Sequence, residues 1–305
     1  MITFFSTPKP FRGHIDVIQR NAIQSWLRVR ADAEVILFGD DEGAAEVARE
    51  YGIRHVPEVE RNEFGTKYLA SIFDQAHDLA RHKLLCYVNC DIILMDDLRA
   101  ALERVSSFSR NFLMVGRRWD MNITTPIAFD DPDWRQKLYA VTQLEGVQRP
   151  SQWIDYFAFS RGLYYRKIPR FVVGRPGWDN WLVWHARASG AAVVDASRAV
   201  VAVHQNHDYG YHPDGEKGVW HGLEAQRNCE CLGGWRHVYS VENATHRLAR
   251  GKIYLNLRHW WLLVRREVYG HANLLWMWAL RATLRQRHRV RLRRTRIEGA
   301  EAKNR

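Results

Sequence analysis

Apolar residues in the first hundred positions change period several times, and each change marks an element. Ile2-Thr3-Phe4-Phe5 is a short extended run that stops at Ser6-Thr7-Pro8. Ile15, Ile18, Ala22, Ile23, Trp26 and Leu27 then recur at the spacing of a helix over 14–28. Residues 34–41, EVILFGDD, read as a buried strand breaking into Gly-Asp-Asp, and 42–52 as a helix closed by Gly52. IRHVPEV is a short strand or extended segment. Leu69, Ile72, Phe73, Ala76 and Leu79 share one face of a helix expected over 66–81. Leu84 to Val88 is apolar again, stops at Asn89-Cys90-Asp91, and resumes as Ile92-Ile93-Leu94. A helix over 96–105 and a strand over 112–118, FLMVGRR, follow.

This β-α-β-α-β alternation predicts a mostly parallel sheet with helices on both faces. In such sheets ligands bind beyond the carboxyl ends of the strands. Ser6-Thr7, Asp40-Asp41 and Asn89 to Asp91 all stand at such ends, so they are expected side by side on one rim. No G-x-G-x-x-G follows the first strand and no G-x-x-x-x-G-K-[ST] occurs. Both a dinucleotide-binding fold and a P-loop enzyme are disfavoured on that ground.

Composition adds bounds. The 305 residues are 46% hydrophobic and 26% charged, an ordinary globular balance with room for one large α/β domain or two small ones. No run reaches the roughly 18 apolar residues of a spanning helix. The start, MITFFSTPKPFRG, reads as strand and loop and not as a leader. Cys86 and Cys90 fall in the buried strand region, and the Cys229-x-Cys231 pair lacks the partner motif of a zinc site. A reduced, cytoplasmic setting fits that usage. Residues 281–296 carry eight arginines and no acid, which takes eight of the net +11 charge and leaves +3 elsewhere. The basic character therefore belongs to a tail.

A carboxylate at the carboxyl end of a buried strand is well placed to hold Mg²⁺ or Mn²⁺, hard cations that take oxygen ligands. Such an ion neutralises a leaving diphosphate. The stretch VNCDIILMDDL resembles the Asp-x-Asp strand end of GT-A nucleotide-sugar glycosyltransferases, and departs from it where Asn89 replaces the first Asp. GWDNWL (177–182) and HQNHDY (204–209) are similar to runs found together in that group, and the resemblance covers about residues 2–240.

The resemblance implies a Rossmann-like mixed sheet flanked by helices, with a C-terminal helical extension rich in Trp and Arg. It divides the chain into a catalytic domain over 1–245, with a nucleotide-binding half (1–105) and an acceptor half (106–245), and a basic extension over 246–305. The implied reaction moves a sugar from a UDP- or GDP-linked donor to a hydroxyl of a glycan or lipid-linked acceptor, with metal assistance by Mn²⁺ or Mg²⁺. Asp91 would be the principal metal ligand, joined by His204 or His207, since imidazole suits Mn²⁺ better than Mg²⁺. Asn89 would meet ribose or phosphate. Phe5 and Thr7 would line the base pocket, and Asp40 would read the base edge. Lys67, taken as the start of a helix, would meet phosphate, as would Arg117 with its neighbour Arg118 at the end of a strand. Asp179 would be the base or acceptor-binding acid, with a helix N-cap as its plain alternative. Asp155 is an alternative base or a turn residue. Trp178 and Asn180 would bind the acceptor.

Beyond about residue 250 the chain turns to Trp, Leu and Arg. Over 253–296 this pattern suits a helix at an anionic membrane surface, at the cytoplasmic face, or a helix packed on the catalytic domain. Three rival classes remain: a nucleotidyltransferase, a catalytically inactive sugar-binding homologue, and a basic nucleic-acid-binding protein. The near-neutral body and the absence of a recognised motif argue against nucleic acid.

Overall fold

The computed structural model describes residues 1–208, 215–258 and 261. The chain divides into two compact units, Met1–Asn256 and Leu257–Arg305. In chain order the strands of the first unit are β1 (Ile2–Ser6), β2 (Glu34–Phe38), β3 (Arg54–Val56), β4 (Leu84–Val88), β5 (Ile92–Ile93), β6 (Phe112–Val115), β7 (Arg118–Met121), β8 (Val147–Gln148), β9 (Tyr156–Ser160), β10 (Ala192–Asp195), β11 (Ala202–Gln205), β12 (His246–Ala249) and β13 (Lys252–Leu255). The helices are α1 (Gly13–Leu27), α2 (Ala44–Glu50), α3 (Leu69–Leu79), α4 (Asp96–Phe108), α5 (Trp134–Glu145), α6 (Trp178–Ala188), α7 (Gly215–His221) and α8 (Leu223–Cys231).

Nine strands form one sheet in the order β13-β12-β10-β6-β9-β4-β1-β2-β3. Most neighbours are parallel, as expected, but β9 is antiparallel to both β4 and β6, and β12–β13 is an antiparallel edge hairpin. The fold is thus a mixed sheet with helices on both faces. The sequence shows why. Within β1, β2 and β4 both alternating sets of side chains are apolar, the signature of strands covered on two sides. Phe5, Ile36, Phe38, Leu85 and Tyr87 face a core closed by Leu69, Ile72 and Phe73 of α3 and Leu182 and Val183 of α6. Ile2, Phe4, Val35, Leu37, Cys86 and Val88 face the other core, closed by Ile23 and Trp26 of α1 and Leu98 and Leu102 of α4.

A second, four-stranded sheet runs β5-β11-β7-β8. Asp91, between β4 and β5, stands where the two sheets meet. The Trp26 indole N–H donates to the Ile92 carbonyl at 2.8 Å and ties that junction to α1.

Two expectations shift. The helix expected over 66–81 begins at Leu69, so Lys67 precedes it and sits in a short bridge opposite Arg61. Residues 246–255 are strands of the main sheet, placing the end of the first unit at Asn256 instead of 245. The hairpin is read as tail from sequence because Arg247, Arg250 and Lys252 break its apolar pattern. Most of the extension lies outside the described residues, and so does nearly all of the surface-helix expectation over 253–296. Among the described residues no helix is long and apolar enough to cross a membrane.

Phe5 is fully buried, edge-on to Phe73 at 4.9 Å and to Tyr87 at 5.5 Å. Phe5→Ala removes this packing and is expected to cost about 3–5 kcal/mol of stability, read by urea unfolding. A loss under about 1 kcal/mol would show that the ring does not sit in the core.

Candidate active site

Parallel strands put their carboxyl ends on one side, so Thr7 after β1, Asp41 after β2 and Asn89 after β4 share a rim. They line a cavity of about 1140 Å³ together with Lys9, Lys67, Asp91, Arg118, Asp155, Trp178, Asp179, Asn180, His204 and His207. The reversed β9 contributes through its amino end. Val88 pairs with Tyr156, so Asp155 lies beside Asn89, whose backbone N–H donates to the Asp155 carbonyl at 2.9 Å.

The HQNH run closes the metal-like corner. His204 is in β11, its backbone paired with Ile92 on one side and Asp120 on the other. Gln205 alternates to the opposite face, is fully buried, and donates to the carbonyls of Ile18 and Asp91. It accepts from Asn21 at 2.9 Å, which locks the strand end to α1. His207 follows the strand end.

Ligand atoms of Asp91, His204 and His207 all lie within 4.8 Å of one another. His207 Nδ1 is 2.6 Å from the Asp208 carbonyl, which can only accept. Nδ1 therefore donates to that carbonyl, and Nε2 lies 3.1 Å from Asp91 Oδ2. His204 Nδ1 is 3.3 Å from Asp120 Oδ1 without meeting hydrogen-bond geometry among the described residues, and its Nε2 lies 4.0 Å from Asp91. Asp91 Oδ1 is buried with no hydrogen-bond partner among the described residues. Two imidazoles and an orphaned carboxylate oxygen converging on one space are a donor set suited to a divalent ion, and Asp120 behind His204 stands where an outer carboxylate orients a ligating imidazole. Burial opposes ionisation of Asp91, but His207, His204 and Lys9 outweigh it and hold the carboxyl well below the ordinary range.

A polar relay backs this corner. Asp155 accepts from Asn89 Nδ2 at 2.6 Å and from Arg118 at 3.0 Å. Arg118 also donates to Asp120 at 2.8 Å, and Arg149 donates to the other Asp120 oxygen at 2.6 Å. The Arg118 guanidinium lies 4.7 Å from the Trp153 ring centroid. Each Asp155 oxygen thus accepts a hydrogen bond, which makes this residue an anchor for Asn89 and Arg118.

The GWDNWL run builds the opposite wall. Gly177 precedes α6 with φ of +102°, a left-handed value that disfavours any side chain. Trp178 packs edge-on to Tyr87 at 5.4 Å, and Asn180 donates to the Tyr239 carbonyl at 2.8 Å. Asp179 lies between them in the first turn, not at the N-cap, which is Gly177. Burial pushes its carboxyl up to about 7 despite backbone N–H groups nearby, and Asp155 adds to the rise.

Three predicted positions do not face the cavity. Phe5 is in the core because its strand alternates apolar on both faces. Asp40 is exposed and pairs with Arg61, while its neighbour Asp41 turns inward to Lys67. Arg117 points away, its Nε bonded to the Arg149 carbonyl at 2.6 Å, and Arg118 faces the cavity instead. Lys67 does line the cavity, donating to Thr7 Oγ1 at 2.7 Å. It packs so closely on Gly39 that a β-carbon there would sit 2.4 Å from its Cε. Burial lowers the Lys67 ammonium, and Asp41 partly offsets this.

Lys9, Asp120 and Trp153 were not singled out from sequence, whereas Asp41 and Arg118 were named beside Asp40 and Arg117 at their strand ends. A signal existed for Asp120: it lies two residues from Arg118 at the start of a strand and so shares a face with it, the pattern of a buried ion pair.

No family model and no curated protein matches the chain. Among solved structures it is similar to glucosyl-3-phosphoglycerate synthase from Mycobacterium tuberculosis in complex with Mg²⁺ and uridine-diphosphate, at 13% identity over 78% of this chain and 79% of that one, TM-score 0.45. It is also similar to S. aureus TarS 1–349 in complex with UDP-GlcNAc, at 12% identity over 68% of this chain and 59% of that one, TM-score 0.45.

Asp179 carries a stability signature. Its carboxyl titrates higher folded than unfolded, so the stability it contributes is complete below pH of about 4 and is lost as pH rises through about 7. Asp179→Asn is expected to leave the urea midpoint near pH 4 almost unchanged and to raise it at pH 8 relative to the parent. An equal effect at both pH values would contradict the raised carboxyl.

Proposed function

We propose that the protein is a metal-assisted glycosyltransferase of the GT-A type, moving a sugar from a nucleoside-diphosphate donor to a hydroxyl acceptor. The observation that carries this reading is one cavity with two differently tuned acids. Asp91 is held ionised among imidazoles at the carboxyl rim, and Asp179 is raised to about 7 on the wall behind it. Two carboxyl groups pushed apart by their surroundings are suited to different tasks.

Asp91, His204 and His207 would hold a divalent ion, which supplies charge neutralisation for a departing diphosphate when bound. Thr7, Lys67 and Asn89 on the rim suit the nucleotide and its phosphates, with Asp41 in the place first given to Asp40. Asp179 would accept the proton of the acceptor hydroxyl, which its position near neutrality favours. Trp178 offers an apolar face beside it, and Asn180 sets the start of α6. Asp155 acts through Asn89 and Arg118. The acceptor is a glycan or lipid-linked hydroxyl, and an address at the cytoplasmic membrane face through the part of 253–296 beyond β13 belongs to the same proposal.

Calorimetric titration with UDP and with GDP, each with and without Mn²⁺, tests it. One nucleotide is expected to bind, tighter with Mn²⁺ by at least about tenfold, or about 1.4 kcal/mol. Asp91→Ala is expected to abolish the manganese effect, while Asp179→Asn retains binding. Failure of both diphosphates with binding of a nucleoside triphosphate would move the assignment to a nucleotidyltransferase.

A further inference from the structure

The sequence Pro8-Lys9-Pro10 lies in the loop between β1 and α1. Two prolines fix φ on either side of Lys9, and Pro10 forces Lys9 itself into an extended backbone. The Lys9 backbone is also clamped. Its N–H donates to Gln19 Oε1 at 2.7 Å and its carbonyl accepts from Gln19 Nε2 at 2.8 Å. Gln19 belongs to α1 and is buried. A primary amide paired with both the N–H and the carbonyl of one residue is a built contact, and it sets where the Lys9 side chain starts.

That side chain ends inside the metal-like corner. Lys9 Nζ lies 2.9 Å from His207 Nε2 and 3.8 Å from Asp91 Oδ2. His207 Nδ1 faces the Asp208 carbonyl, so Nε2 is the ring nitrogen that the ammonium meets. Lys9 thus engages two of the three groups that a divalent ion would use. An ammonium and a divalent cation cannot share those lone pairs, and at a separation of about 4 Å their repulsion is substantial.

We propose that Lys9 is a resident cation of the Asp91–His204–His207 centre. It holds the three groups together in the empty protein and competes with divalent metal for them. Because its backbone is fixed by Gln19 and the prolines, only the flexible four-carbon stem moves when metal enters. The ammonium then remains at the edge of the rim beside the phosphates. When no metal is present it supplies the positive charge for a bound diphosphate itself. The metal half of this inference stands on the geometry alone, and the diphosphate half rests on the transferase reading.

Two titrations on the intact protein test it. The first follows free Mn²⁺ by its paramagnetic resonance signal in the absence of nucleotide. Lys9→Met is expected to bind Mn²⁺ at least tenfold more tightly than the parent, and Lys9→Gln to do the same. Unchanged or weaker Mn²⁺ binding by both variants overturns the competition. The second measures UDP and GDP affinity in EDTA. The parent is expected to keep measurable affinity for one of them, and Lys9→Met to lose at least tenfold. Equal affinity of parent and variant in EDTA overturns the diphosphate role. If neither protein binds either nucleotide under any condition, the donor assignment fails, while the Mn²⁺ titration still decides the competition. A cooperative urea transition and an unchanged far-UV circular dichroism spectrum in both variants exclude a folding defect, since the Gln19 clamp uses backbone atoms that both substitutions retain.

Discussion

Asp91 is a carboxylate placed where burial alone would make it neutral. It sits at the junction of two sheets, and one of its oxygens has no hydrogen-bond partner among the described residues. Cationic and imidazole groups drawn from distant parts of the chain keep it charged: Lys9 from the first loop, His204 and His207 from the end of β11. Their positions depend on further contacts. Gln19 holds Lys9, Gln205 holds the end of β11 against α1, and Asp120 stands behind His204. Removing Lys9 withdraws one of the positive charges that keep Asp91 ionised, which costs free energy in a buried setting.

The reversed strand β9 is the topological step that makes this possible. A fully parallel sheet would offer only carboxyl ends to the rim. Turning one strand round brings its amino end there, and with it Asp155, which joins Asn89 to Arg118. The Asn89 side-chain amide donates to Asp155, something an aspartate in its place could not do while ionised.

The order of strands and helices through α4 was legible in the sequence, because apolar period separates buried strands from amphipathic helices. The rim was legible too, since strand ends are where polar residues interrupt apolar runs. What was not legible is which of two adjacent polar residues turns inward. Asp40 and Asp41, and Arg117 and Arg118, differ only in backbone direction at a turn, and the choice is made by partners far away in sequence: Lys67 for Asp41, Asp120 and Asp155 for Arg118. Phe5 was misplaced for a related reason, since a rim position in sequence says nothing about the two-sided cover of its strand. Lys9 was invisible because its significance arises only when the HQNH run folds back across the first loop.

The account stands most directly on the identity of one small volume between Asp91, His204 and His207. Crystals soaked with Mn²⁺ and UDP, measured at the manganese absorption edge, locate that ion without reference to activity. The account predicts an anomalous peak within coordination distance of Asp91 and at least one of the two imidazoles, with the Lys9 side chain withdrawn from His207. A peak elsewhere on the rim, or none at full nucleotide occupancy with Lys9 still on His207, would contradict it.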